Sequence, residues 1–163
     1  MAFTSAPLEQ AALTFLPRAR ARWEAAGTVQ LLFVLGLADG LLGGALCAAL
    51  PLAAPQLLTR DAAVWPLMAQ IAPQAGAAML LIGLDISANG VLLARRDYGY
   101  IARSYAITLA SLAAFLAWSR GSLAGVWWSI VFFFGARTAQ SLLRLATRRS
   151  EPLPPPIALA ASE

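Results

Sequence analysis

The chain has no histidine, no lysine and one cysteine, Cys47, and charged side chains make up only 12% of its 163 residues. Without imidazole and with a single thiol, it lacks the ligands of a thiolate or imidazole metal site, so no metal is expected. No disulfide can close within the chain, and Cys47, inside an apolar run, reads as a small packing residue. No cofactor and no enzymatic activity are expected, because no nucleophile–base pair and no phosphate loop is recognisable. The N-terminal stretch MAFTSAPLEQAALTFLPRARAR is polar to mixed and carries Glu9. It lacks the short apolar core and cleavage site of a signal peptide, and it is too acidic for a clear transit peptide.

Apolar length takes the place of these missing features. A soluble domain carries about 25% charged residues, whereas here 60% of residues are hydrophobic and the charges cluster between apolar runs. The formal charge of +4 comes from arginines at the ends of those runs, where membrane topology places them. No long basic stripe with interleaved aromatics accompanies them, so nucleic acid is not an expected partner and the lipid bilayer is.

Taking about 20 residues per crossing, hydropathy predicts an all-α membrane protein with four transmembrane helices, about 28–53, 63–94, 100–118 and 123–145. Pro51 and Pro55 end the first span. Residues 1–27 form an N-terminal segment on the cytoplasmic side, and 148–163 a disordered Pro-rich tail. Nine arginines fall on one side of this layout (18, 20, 22, 95, 96, 103, 144, 148 and 149), and only Arg60 and Arg120 fall on the other. The positive-inside rule then puts both termini on the cytoplasmic or stromal face of a multi-pass integral membrane protein.

Two carboxylates inside apolar spans are the candidates for function, because an ionisable group in hydrocarbon needs protein, water or a partner. Asp39 sits beside Gly36, Gly40 and Gly44, whose four-residue spacing bares one helix face to a close neighbour. That face serves static packing or a sliding interface, and Asp39 is either a buried carboxyl or a proton or cation site. In the second span Pro66 and Pro73 interrupt the first half, and Pro73 removes a backbone donor and is expected to kink the helix, with Gln70 and Gln74 beside it. Further on, Asp85 and Asn89 lie one turn apart on one face. Together with Ser87 and Gly90 they suit either a cavity wall or interhelical hydrogen bonding. Ser104, Tyr105, Thr108 and Ser111 are scattered polar groups of the third span. Arg103 is expected to snorkel or to pair with Asp97. Arg137 is expected to anchor the fourth span at the inner interface.

Four passages in order resemble the C-terminal part of a MATE (multidrug and toxic compound extrusion) transporter, in the plant and algal DETOXIFICATION-type branch. APLEQAALTFLP (6–17) resembles the start of that family's eighth span, and ALPLAAPQLLTRD (49–61) the end of the ninth with its acidic turn. ANGVLLARRDYGY (88–100) resembles the end of the tenth span. GSLAGVWWSIVFFFGAR (121–137) resembles the last, with Gly125, Trp127 and Arg137 in the family's places. The resemblance implies the last four spans of a twelve-span antiporter of two lobes, which exports organic solutes in exchange for protons or sodium ions by rocking around a mid-membrane site. It also implies plastid membranes among the locations, and partners in the N-terminal spans that this chain lacks.

Asp85, Asn89, Gln74 and Asp39 are the residues offered to the solute or ion pathway. Asn89 stands where related plant sequences carry a carboxylate, and Asp85, one turn earlier, is the substitute that spacing offers. Two further functions remain open. One is a stand-alone four-span exporter working as a dimer through Asp39. The other is a non-transporting membrane scaffold.

Overall fold

The computed structural model describes residues 6–18, 22–119 and 121–148. Five α-helices account for most of them: α1 (Ala6–Phe15), α2 (Arg22–Ala53), α3 (Trp65–Ala94), α4 (Tyr98–Ser119) and α5 (Leu123–Thr147). Short 3-10 turns at Leu16–Arg18, Pro55–Leu57 and Ala62–Val64 join them, and no strand occurs among the described residues. The loop before α3 is capped by Asp61, whose Oδ1 accepts from Ala63 N at 3.0 Å. Ser122 caps α5 in the same way, accepting from Gly125 N at 3.0 Å.

Several expected boundaries move. The first long helix begins at Arg22, six residues before the expected 28, and Pro51 lies inside its last turn instead of ending it. A proline near a C-terminus forfeits only one hydrogen bond, and the break comes where Ala54 leaves helical geometry at φ −145°. α3 likewise runs unbroken through Pro73. The segment 1–27 contains α1, a helix packed on α3, as well as the start of α2. Of the expected tail only Arg148 is described, so the assignment of disorder to the rest of 148–163 lies outside the described residues.

Three stretches are long and apolar enough to cross a membrane: Trp23–Ala53, Ala62–Ala94 and Tyr98–Ser119. At about 1.5 Å per residue, the 32 residues of α2 and 30 of α3 span roughly 48 and 45 Å, against a hydrocarbon core of about 30 Å. α5 has 25 residues but is less apolar, because Arg137, Thr138, Gln140, Ser141 and Arg144 fill its second half.

Burial is inverted relative to a protein folded in water. Beside a few aliphatics (Leu16, Leu32, Val91 and Leu92), the interior holds Ala72, Ala78, Ala88, Ser87, Ser104, Thr108 and Ser141, together with Asp85 and Arg137. Leu31, Leu42, Ile107, Trp118 and Leu143 are more than half exposed. Small and polar residues on the contact faces and large aliphatics outside are what helices packed in lipid require, since lipid supplies no hydrophobic drive between them.

α3 is the hub. It packs on α1, α2 and α5, while α4 leans on α5 and scarcely touches α3. α2 runs antiparallel to α3 along a glycine seam. A Cβ built on Gly40 would lie 2.8 Å from the Leu80 carbonyl oxygen, and one on Gly44 would lie 2.7 Å from that of Gly76. Added at Gly36, it would collide with Ser87 Oγ. Such approach leaves no room for any side chain at these positions. Ser87 Oγ bridges the seam, reaching Leu32 O at 3.1 Å and Gly83 O at 3.0 Å. α5 lies between α3 and α4, and this position brings their polar faces together.

Candidate functional site

Those polar faces converge on Arg137 of α5, whose exposure is 1%. Its Nη1 donates to Ser104 Oγ of α4 at 2.7 Å, and its Nη2 donates to Asn89 Oδ1 of α3 at 3.2 Å. The guanidinium carbon sits 3.6 Å from the centroid of the Tyr105 ring. Asp85 Oδ1, one turn of α3 before Asn89, lies 3.7 Å from Arg137 Nε. That distance makes an ion pair but not a hydrogen bond, and both atoms lack a hydrogen-bond partner. One positive and one negative group are therefore matched in charge inside the bundle, with two donors of the guanidinium satisfied by neutral acceptors.

A second layer of polar contacts adjoins this cluster. Thr108 Oγ1 shares its proton between Ser104 O at 2.9 Å and Gln140 Oε1 at 3.2 Å. Tyr100 Oη donates to Gln140 O at 2.6 Å. Thr138 Oγ1 donates to Leu81 O at 3.3 Å, tying α5 to α3. Ser141 Oγ is buried without a partner.

Of the candidates from sequence, Asp85 and Asn89 are in the cluster. Gln74 stands eleven residues before Asp85, about 16 Å along the helix. With its amide nitrogen facing the preceding turn, it reaches Gln70 O at 2.9 Å and Ile71 O at 3.1 Å. Asp39 is half-buried beside the glycine seam. Among the described residues it forms no hydrogen bond or ion pair, and it does not meet Asp85. Gly36, Gly40 and Gly44 line the α2–α3 contact.

One expectation is corrected, and one of the two alternatives for Arg103 is not realised. Arg137 does not snorkel to an interface: it turns inward, because α3 and α4 offer it a carboxylate, two oxygen acceptors and a ring face. Arg103 does not bond Asp97. Its Nε donates to Gly99 O at 3.0 Å, while Asp97 Oδ2 accepts from Arg144 Nε at 2.8 Å and lies 3.7 Å from Arg148 Nη1. The end of α5 reaches Asp97 first.

Ser104 and Tyr105 were legible only as scattered polar groups. The available signal was four-residue spacing on three helices at once: Asp85 and Asn89; Tyr100, Ser104 and Thr108; Arg137 and Ser141. Among the described residues, no group of three His, Cys, Asp or Glu side chains is placed to hold a metal ion. No protein-family model, curated protein or solved structure matches the chain.

Proposed function

We propose that this chain supplies four spans, α2 to α5, of the second lobe of a MATE-type antiporter that exports organic solutes in exchange for protons or sodium ions. The observation that carries the proposal is the buried Arg137 cluster, which ties α3, α4 and α5 together inside an apolar exterior. Ionisable groups buried among membrane helices belong to transport proteins far more often than to passive anchors. Alternating access by rocking also requires each lobe to move as one body. The guanidinium joins three helices and the glycine seam joins the fourth, so the four would turn together.

In this proposal α5 is the fourth span. Its 25 residues are long enough, and Asp85 offsets the one charge in its middle. Asp85 and Asn89 hold the lobe together, whereas Asp39, without a protein partner among the described residues, is the carboxylate left for the coupling ion. The clustering of arginines at the α3–α4 turn and the end of α5 supports a cytoplasmic or stromal position for that side.

The test begins upstream of Met1, where an in-frame extension encoding about eight further spans is expected. The extended protein, in vesicles with an imposed pH or sodium gradient, should move the fluorescent cation ethidium. Asp39→Asn should abolish the movement. Flux that is absent in the parent protein, or unchanged in the variant, contradicts the corresponding part of the proposal.

A further inference from the structure

The loop between α2 and α3 is apolar where a connection in water would be polar. Loops in water are commonly built of Gly, Asn, Asp and Ser. Residues 54–64, APQLLTRDAAV, contain no Gly, Asn or Ser, and Arg60 and Asp61 are the only charges. Leu57 is 74% exposed and Leu58 is 52% exposed. Leu52 in the last turn of α2 and Leu67 in the first turn of α3 are exposed on either side of them. The lengths of the helices say where this loop emerges. At roughly 48 and 45 Å, α2 and α3 match the roughly 40–45 Å of a bilayer measured with its headgroups. Their connection therefore comes out in a headgroup layer and not clear of the membrane.

The backbone adds a second observation, because the loop closes on itself. Leu57 N donates to Ala54 O at 3.1 Å, and Leu58 N and Thr59 N both donate to Pro55 O at 3.0 Å. Asp61 N donates to Thr59 Oγ1 at 3.2 Å, Ala63 N to Asp61 Oδ1 at 3.0 Å and Val64 N to Asp61 O at 3.2 Å. Pro55 has no N–H to satisfy. Trp65 pins the loop to the start of α3, its indole Nε1 donating to Thr59 O at 3.3 Å. Internal satisfaction of backbone groups is what a segment requires where water is scarce. A tryptophan at a helix end marks the depth of lipid headgroups.

We propose that the 54–64 loop is an interfacial anchor whose partner is the bilayer surface. Leu57 and Leu58 lie in the boundary between headgroups and acyl chains, and Arg60 and Asp61 stand at its aqueous edge. The exteriors of α2 and α3 stay apolar as far as Leu52 and Leu67, so the lipid that covers them continues over the two leucines between. Apolar side chains of an interfacial segment sink about 5–10 Å into that boundary. The adjacent charges of Arg60 and Asp61 are opposite and equal, so the contact is apolar and indifferent to headgroup charge. Held in this way, the α2–α3 hairpin has a fixed depth in the bilayer. The inference rests on the membrane reading and is independent of transport.

The test uses the full chain with Cys47→Ser and one of Leu57→Cys, Leu58→Cys or Asp61→Cys, each carrying a nitroxide label. Each variant is first recovered from membranes washed with alkaline carbonate. Release by the wash would sink the membrane reading itself, separately from the anchor. In phosphatidylcholine vesicles, collision of the label with oxygen, which concentrates among acyl chains, is compared with collision with a water-soluble nickel chelate present on both sides. The ratio should favour oxygen at positions 57 and 58 and the chelate at position 61. Replacing half of the lipid by phosphatidylglycerol should leave all three ratios unchanged. Preference for the chelate at 57 or 58 would place the loop in water and overturn the proposal. Weak collision with both reagents there would overturn it too, assigning the leucines to a protein contact. Ratios at 57 and 58 that change with lipid charge would assign the contact to Arg60 and contradict an apolar anchor.

Discussion

A guanidinium buried among apolar helices persists only if both its charge and its donors are answered. Asp85 answers the charge of Arg137, and Ser104, Asn89 and the Tyr105 ring answer much of the rest. At 3.7 Å the attraction is about 4 kcal/mol for an effective dielectric near 20. Desolvating each ion costs several kcal/mol, so the pair is close to balanced and its removal as a unit is mild. Arg137→Met alone strands Asp85 and should destabilise by about 3–5 kcal/mol. Asp85→Leu combined with Arg137→Met should cost clearly less than the sum of the single changes, and chemical unfolding in detergent measures the coupling. Strict additivity would mean that the two charges do not interact.

Asp97, in the turn outside the helices, is held below the ordinary carboxylate range chiefly by the hydrogen bond from Arg144, with burial opposing. Its folded pKa lies below its unfolded 3.8, so its contribution is present above 3.8 and fades as pH falls through the folded value. Melting temperatures of the parent and Asp97→Asn should therefore differ at neutral pH and converge in acid below that range. Asp85 and Asn89 were legible as a pair because i and i+4 share a face. Their partner was not, because Arg137 lies about two turns before the end of the expected span, within snorkelling reach of an interface.

At the scale of elements, the glycine spacing of α2 was visible in sequence, but what it packs on was not. Gly76 and Gly83 of α3 stand seven residues apart, two turns of a helix, and face Gly44 and Gly36. The seam gives a sharp contrast between neighbours. Gly40→Ala drives a methyl to within 2.8 Å of the Leu80 carbonyl oxygen, a backbone atom, and should destabilise by about 1–3 kcal/mol. Gly43→Ala meets only the flexible end of Met79, at 3.2 Å, and should be nearly neutral. Thermal unfolding of the two variants checks this, and equal effects would contradict a seam confined to the Gly36–Gly44 stripe. The placement of α5 between α3 and α4 escaped the sequence because hydropathy marks helices without saying which are neighbours. α4 directly follows α3 in the chain, yet the short Arg95–Asp97 turn leaves it leaning away, and the polar stripe of α5 fills the space.

The whole molecule is organised by an exterior of leucine, isoleucine, valine and tryptophan around a small and polar interior. Composition made that legible, since so few charges cannot cover a surface in water. In the fold Arg95, Arg96, Arg103, Arg144 and Arg148 gather at one end of the bundle, and Arg60 lies at the other. The proposed MATE-like function rests on order and resemblance of passages, joined to a cluster that binds the helices into one unit.

The claim on which the lobe and its Arg137 cluster both depend is that these helices thread a bilayer with alternating direction. Single cysteines introduced into a Cys47→Ser background at Asp61, Gly99 and Arg148 can be probed in sealed, oriented vesicles with a membrane-impermeant maleimide. Cysteines at 99 and 148 should label from one face and the cysteine at 61 only from the opposite face. Labelling of all three from a single face would contradict the account.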